Sequence, residues 1–411
     1  MRTADGRVVP SFPMPRAPGR PFDPPPELYR LRRAAPVCRV RLWDGSVAWL
    51  LTRHADQRAV LLDSDRFSSN TDLPGFPHRS ASSKAMRSRK RAFIDTDDPD
   101  HGRMRRLVIP DFAARRIDAL QPMIQRVVDE RVDGVLGGPE RFDLVTDFAT
   151  PVTLLVLFEV LGVPFQDHPF LRDAALTMQS AGPSETVGAS TKAQVMTYLE
   201  GLIGAKAGCP GADVTSRLVH GGMAAGALNR EETVMTLMLL LIAGFETTEQ
   251  MIALGTLALL EHPDQLALLR ENDDPAAGTR AVDELLRYLT VSHFGRRRVA
   301  LEDVAVGGEV VRTGEGVIVA TNIGNRDEEA FPGADRLDLE RDARGHLSFG
   351  FGRHLCLGHH LARTQLRIAL GTLHRRVPSL RLAVPRDRLT FRHDKMIYGV
   401  HELPVVRSST A

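Results

Sequence analysis

A chain of 411 residues, 43% hydrophobic and 25% charged, has enough apolar material for a sizeable buried core and is not a disordered polymer. A formal net charge of +2 provides no global field for nucleic acid or an anionic membrane, so any electrostatic partnering is local. Three cysteines are too sparse and odd a set for a secreted disulfide framework, and at least one thiol is free.

The amino terminus holds Arg2, Asp5 and Arg7 where a signal peptide would be apolar. No apolar run approaches the ~20 residues of a membrane span; the longest strong one, Leu237 to Phe245, runs into Glu246. A cytoplasmic protein with no membrane and no nucleic acid partner is expected. Residues 1–26, proline-rich from residue 8, read as an extended arm laid over the surface. Residues 27–411 then read as a single domain.

Short strand signals come first, at Val37–Leu42 and Ala48–Thr52. The loop Leu73–Phe93 is basic, carrying Lys84, Arg87, Arg89, Lys90 and Arg91. It leads into a helical segment where His101 and Arg105, four apart, share a face. Amphipathic stretches at 115–135, 152–163, 191–206, 231–261 and 277–289 make the chain mainly α. Strands are expected at Val304–Val311 and Gly316–Thr321.

The centre of the 231–261 stretch reads Leu240-Leu-Ile-Ala-Gly-Phe-Glu-Thr-Thr248, an acid and two hydroxyls in an apolar helix. A buried carboxylate is costly unless paired, so the cluster marks either a satisfied kink or a chemical site. Glu284 and Arg287 share a helix face, an arrangement usually worth only a few tenths of a kcal/mol on a solvated helix. Near the C-terminus Ser348-Phe-Gly-Phe-Gly-Arg-His-Leu-Cys356-Leu-Gly-His-His-Leu-Ala-Arg363 places a cysteine in a glycine-rich loop entering a helix. A lone cysteine is more often a small buried side chain. Here, unpaired N–H groups and the helix dipole would favour a thiolate, and Gly350, Gly352 and Gly358 would let backbone pass close to a flat ligand.

The order Phe349-Gly-x-Gly-x-His-x-Cys356-x-Gly resembles the haem-binding signature of the cytochrome P450 family, and Ala243-Gly-Phe-Glu-Thr-Thr248 is similar to that family's oxygen-activating motif. The resemblance runs from about Glu27 to the C-terminus. It implies a mainly α cytochrome P450 fold whose small sheets and helices enclose haem b, with Cys356 as the iron ligand. Phe349 would pack beneath the haem, and Gly350 and Gly358 would cradle it. His101, Arg105, Arg298 and His354 would meet its propionates, whereas Arg296 and Arg297 read as surface. On the other face Gly244 would make room for dioxygen, Thr247 would hydrogen-bond it and Glu246 would relay protons. Glu284 and Arg287 would join a structural network with a later arginine, Arg336 as first choice and Arg341 as second.

The resemblance further implies a monooxygenase that hydroxylates or otherwise oxidises a hydrophobic small molecule, in secondary metabolism or the oxidation of foreign compounds. Its pocket would draw on Leu239, Leu240, Ala243, Val291, Ser292, His293, Phe294 and Ile397. Lacking a flavin or nicotinamide fingerprint, the chain would be a monomer served by a ferredoxin or flavodoxin with an NAD(P)H-dependent reductase. That carrier would dock near Arg353, His359, His360, Arg363 and the arginines at 103, 106, 115 and 116. The chain also resembles fungal nitric oxide reductases, which take electrons directly from NAD(P)H beside a basic loop. That branch typically lacks the acid, so Glu246 favours the monooxygenase. A non-catalytic haem protein would need neither Glu246 nor Thr247.

Overall fold

In the computed structural model, residues 9–85, 92–180 and 185–407 are described. Helix dominates, as its sequence periodicity requires, in Ala114–Gly137, Thr150–Leu161, Glu185–Gly208, Arg230–Glu261, Pro275–Leu289 and His359–Arg376. The helix starts are chemically marked. Asn229 accepts from the Glu232 N–H while Glu232 accepts from the Asn229 N–H, a reciprocal cap on the central helix. Asp274 caps the helix that opens with Pro275. The central helix, Arg230–Glu261, packs against Thr150–Leu161, Glu185–Gly208 and His359–Arg376, so its middle lies at the heart of the largest apolar cluster. By length and composition this helix would suffice to cross a membrane, contrary to the reading of its apolar run, yet 67% of its most apolar window is buried inside the protein.

A five-stranded sheet runs in the order Val37–Arg41, Val47–Leu51, Gly316–Val319, Arg296–Ala300, Phe67–Ser68. Alternation along its strands divides the faces. Trp49, Leu51, Val317 and Val319 join one apolar cluster, and Ala48, Leu50 and Ile318 join another. The arm closes the second face. Phe12 and Met14 are buried there with Leu28 and Leu31, and the Phe12 N–H donates to the Arg41 carbonyl at 2.8 Å. Order therefore starts well before Glu27, and the arm is a structural layer of the sheet.

The expected strand Val304–Val311 is a hairpin, Val304–Val306 with Glu309–Val311. It turns at Gly307 and Gly308, with φ of 56° and 89°, the two left-handed positions that a tight hairpin turn demands. The strand at Arg296–Ala300 went unforeseen, and it decides where three arginines point.

Candidate active site

The cysteine loop is set by two glycines. Gly350 and Gly352 have φ of 74° and 71°, and a Cβ on Gly352 would stand 2.5 Å from the Leu61 carbonyl oxygen, so a side chain there would be strained twice over. The Cys356 N–H donates to the Phe349 carbonyl at 2.8 Å, closing the loop. The following helix begins at His359, three residues beyond the cysteine, and the Gly358 N–H is directed at the sulfur. Burial pushes the Cys356 thiol above its usual range, against Arg296, the Gly358 N–H, Arg105 and Arg363, which all favour the thiolate. Phe349 packs on the main core, with the Arg363 guanidinium 4.8 Å from its ring centroid.

Beside this loop the fold gathers cations. His101 is 3% exposed and stacks on His354, with ring centroids 4.1 Å apart. Arg105 donates to the Leu355 carbonyl, Arg298 to the Arg297 carbonyl at 2.8 Å, and Arg296 to the Ser348 carbonyl at 3.0 Å. Burial, then Arg298, His101 and Arg105, hold His354 down to about 2, so it is neutral. Among the described residues, no carboxylate lies within ion-pair distance of Arg105, Arg296 or Arg298. Asp97, whose charge is felt by Arg298, accepts from the Ser69 N–H at 2.8 Å and from the Ser68 hydroxyl. The Nε of Arg298 and the Nε2 of His101 have no partner at all. Arg296 thus belongs to the site and not to the surface, because the unforeseen strand turns it toward the loop. Arg297, on the strand's opposite side, donates to the Pro77 carbonyl.

Buried cations without counter-charge are costly, and a planar dianion with carboxylates at its edge would satisfy this set. A Cβ on Gly358 would meet no protein atom within 4 Å, which leaves room for a flat group over the sulfur. The donors fit haem b.

On the central helix, Thr247 Oγ1 donates to the Ala243 carbonyl at 2.8 Å. The helix is continuous from Arg230 to Glu261. Gly244 also has a packing role. A Cβ there would come within 3.2 Å of Leu157 Cδ1, so the glycine lets the helix Thr150–Leu161 approach.

Glu246 is ion-paired to Arg392, a residue that local sequence patterns could not flag. The same guanidinium lies 3.8 Å from Glu249, whose side chain is wholly buried. Glu249 also accepts from Thr150 Oγ1 at 2.5 Å and from Gln250 Nε2 at 3.0 Å. Burial raises Glu246 above the usual carboxylate range; Arg392 opposes this, Glu249 adds to it, and Lys395 opposes more weakly.

The structural network is present with one substitution of partner. Arg287 makes two bonds to Glu284, of 2.6 and 2.8 Å, fully buried. Arg341 is the third member, 3.3 Å from Glu284. Arg336 is exposed, paired with Asp338, and offers Arg287 only its backbone carbonyl.

Ile242 and Ala243 are exposed on the central helix, Met396 is exposed in the C-terminal turn, and Leu239 and Phe294 are half-buried. Leu239, Ile242, Ala243 and Glu246 are spaced to share one helix face. Leu240 points away into the packed core, and Val291 and Ile397 are buried there too. Ser292 is half-buried, and His293 bonds the Lys395 carbonyl at 2.8 Å. Several cations expected to receive a carrier are already engaged: Arg103 with Glu232, Arg353 with Asp65 and Asp98, Arg363 with Asp283. Burial holds His359 down to about 4 and also lowers His360. Arg106 and Arg115 are exposed and Arg116 is half-buried. Lys84 pairs with Asp44, and Arg87, Arg89, Lys90 and Arg91 lie outside the described residues.

Comparison with known proteins places this geometry among relatives. The family model described as Cytochrome P450 matches residues 214–377. The chain is 46% identical over 401 residues to cytochrome P450 GfsF of Streptomyces halstedii, covering 97% of this chain and 96% of the relative. It is 42% identical over 398 residues to the vitamin D3 dihydroxylase of Streptomyces griseolus, covering 97% of each. The crystal structure of cytochrome P450 MoxA from Nonomuraea recticatena superposes with a TM-score of 0.91 at 42% identity, over 97% of this chain and 99% of that one.

Proposed function

The chain belongs to the cytochrome P450 family, and on that premise we propose how its own residues divide the work of a monooxygenase acting on a hydrophobic small molecule. The observation that carries the assignment is the basic edge of Arg105, Arg296 and Arg298 beside Cys356, which no carboxylate among the described residues neutralises. Cys356 would hold the iron through its sulfur, and the two stacked histidines and three arginines would bind the propionates. When bound, haem b supplies the centre at which dioxygen is activated and one oxygen atom is passed to the substrate.

The protein's part on the opposite side is proton supply and shape. Glu246 holds a proton at its carboxyl more readily than an ordinary glutamate does, and Thr247 follows it on the helix. Because the Thr247 hydroxyl donates to the Ala243 carbonyl, its lone pairs are free to accept a proton-bearing partner. The apolar wall of Leu239, Ile242, Ala243, Phe294 and Met396 selects a hydrophobic substrate, and a relative of 42% identity dihydroxylates vitamin D3. Electrons come from a ferredoxin or flavodoxin and its NAD(P)H-dependent reductase, docking over the side that exposes Arg106 and Arg115. The protein works in the cytoplasm as a monomer, with the arm and residues 27–411 forming one haem domain.

The test is a reconstitution of the haem protein with ferredoxin, reductase, NADPH and a panel of apolar compounds. Oxygen uptake matched by a hydroxylated product is expected. Rapid consumption of nitric oxide with NADH and no carrier protein, and no oxygenated product, would replace the monooxygenase with the reductase reading.

A further inference from the structure

Two acids on the central helix share one cation. Glu246 and Glu249 are one turn apart, and Arg392 reaches both, ion-paired to the first and 3.8 Å from the second. Glu246 is the most exposed of the three, at 16% of its side chain, while Arg392 has 4% and Glu249 none. The inner acid is bound on every side: Thr150 Oγ1 donates to Oε1, Gln250 Nε2 donates to Oε2, and Gln250 in turn accepts from the Val400 N–H at 2.9 Å. Two donors and a nearby guanidinium fix the orientation of this carboxylate. It cannot act on a substrate directly, because it has no open face.

We propose that Glu249 and Arg392 are positioning residues for Glu246: Arg392 fixes the outer acid in place, and Glu249, buried one turn away and held by Thr150 and Gln250, draws on the same guanidinium. This rests on the reading of Glu246 as the proton-handling acid. The charges that face Glu246 are Arg392, Glu249 and Lys395, and only Glu249 works for protonation. Without it, one cation would serve one acid, and burial alone would oppose Arg392 at the outer carboxylate.

Arg392 also ties this balance to the substrate side. It lies next to Phe391, which bridges to Val400, and its own N–H donates to the Gly399 carbonyl at 2.9 Å. The turn enclosed by that bridge carries Met396, one of the exposed apolar residues beside the helix. The outer acid is therefore anchored to the turn that walls the pocket.

The experiment is a pH titration of Glu246 in the haem-loaded, reduced, carbon monoxide-bound protein with glutamate 13C-labelled at the carboxyl carbon, the resonance being assigned by its loss in Glu246→Gln. Glu249→Gln keeps the shape and the bond from Thr150 but removes the charge, and should move the Glu246 midpoint down by about one pH unit. Arg392→Lys should leave the midpoint near its original value. Thr150→Val, which removes one donor to Glu249 at constant volume and makes its charge lean more on Arg392, should give a smaller, upward shift and supplies the answer if Glu249→Gln fails to fold. The pH dependence of product formed per NADPH consumed should move with the midpoint. An unchanged Glu246 midpoint in both Glu249→Gln and Thr150→Val would overturn the proposal, whatever happens to stability. Full turnover by Glu246→Gln with the midpoint shifts intact would instead remove the role of Glu246 while leaving the electrostatic arrangement standing.

Discussion

The basic edge beside Cys356 and the acid cluster on the central helix are both buried and charged, yet they are built on opposite principles. At the edge, Arg105, Arg296 and Arg298 find only carbonyl acceptors, and nitrogens on Arg298 and His101 find nothing. In the cluster, Glu246 and Glu249 are satisfied by Arg392, Thr150 and Gln250 without outside help. Burying a charge is tolerable when it is paired and costly when it is not. The first region is thus incomplete until a dianion arrives, whereas in the second each acid has a counter-charge within the fold, although the Arg392 Nε has no partner of its own. A protein of this kind should be tense on one side and settled on the other before its cofactor binds.

The comparison can be broken most severely at the sulfur. Cys356→Ser should abolish the absorption band near about 450 nm of the reduced carbon monoxide form, together with all turnover; a normal band in that variant would remove the ligand assignment. Next in size is Arg392→Met, which leaves two buried acids facing one another and should lower unfolding stability by about 3–5 kcal/mol in the haem-free protein as well as the loaded one. Denaturant titration of both forms decides this, and a loss confined to the loaded form would erase the distinction between the regions.

Arg298→Leu should behave in the reverse way. Haem transfer to an acceptor globin should speed up about tenfold, or about 1.4 kcal/mol, while the unfolding midpoint of the haem-free protein holds or rises because an unpaired cation has gone. A comparable fall in the haem-free midpoint would show that the edge is internally satisfied after all.

The smallest effect separates cations awaiting an anion from an imidazole that is simply neutral. His374 is fully buried with both ring nitrogens unpaired, and burial holds it down to about 3 from 6.5. The unfolded chain takes up a proton below pH 6.5 that the folded chain refuses until about pH 3. Stability from this residue is therefore full above pH 6.5 and lost as pH falls through that window. Stability measured by urea at stepped pH should show His374→Leu flattening the acid slope by up to one proton.

What could be read in advance follows the range of the interaction. The cysteine loop, with its phenylalanine, glycines and histidine, lies within one short segment, and His101 with Arg105 share one helix face, so the resemblance to the family's motifs could reach them. Arg392 stands 146 residues from Glu246, and no local period points from one to the other. The same holds for Gly244, whose missing side chain answers Leu157 on another helix. Arg336 and Arg341 sit in irregular chain, where spacing has no angular meaning, and the nearer residue was the wrong one. Leu240 is different: helical arithmetic from Glu246 selects Leu239, Ile242 and Ala243, and the register error was avoidable. Arg296 read as surface for want of the strand, since only alternation on a sheet shows that it turns inward with Arg298 while Arg297 turns away.

The arm that closes the second sheet face bears on how the protein can be handled. Phe12 and Met14 cover Leu50 and Ile318, so trimming the chain to Pro26 would unroof an aliphatic stripe on a pleated surface, the kind of template on which other chains stack. A purification tag belongs upstream of Val9, and a variant library that treats the prolines as dispensable padding would select for clumping before it ever tests catalysis.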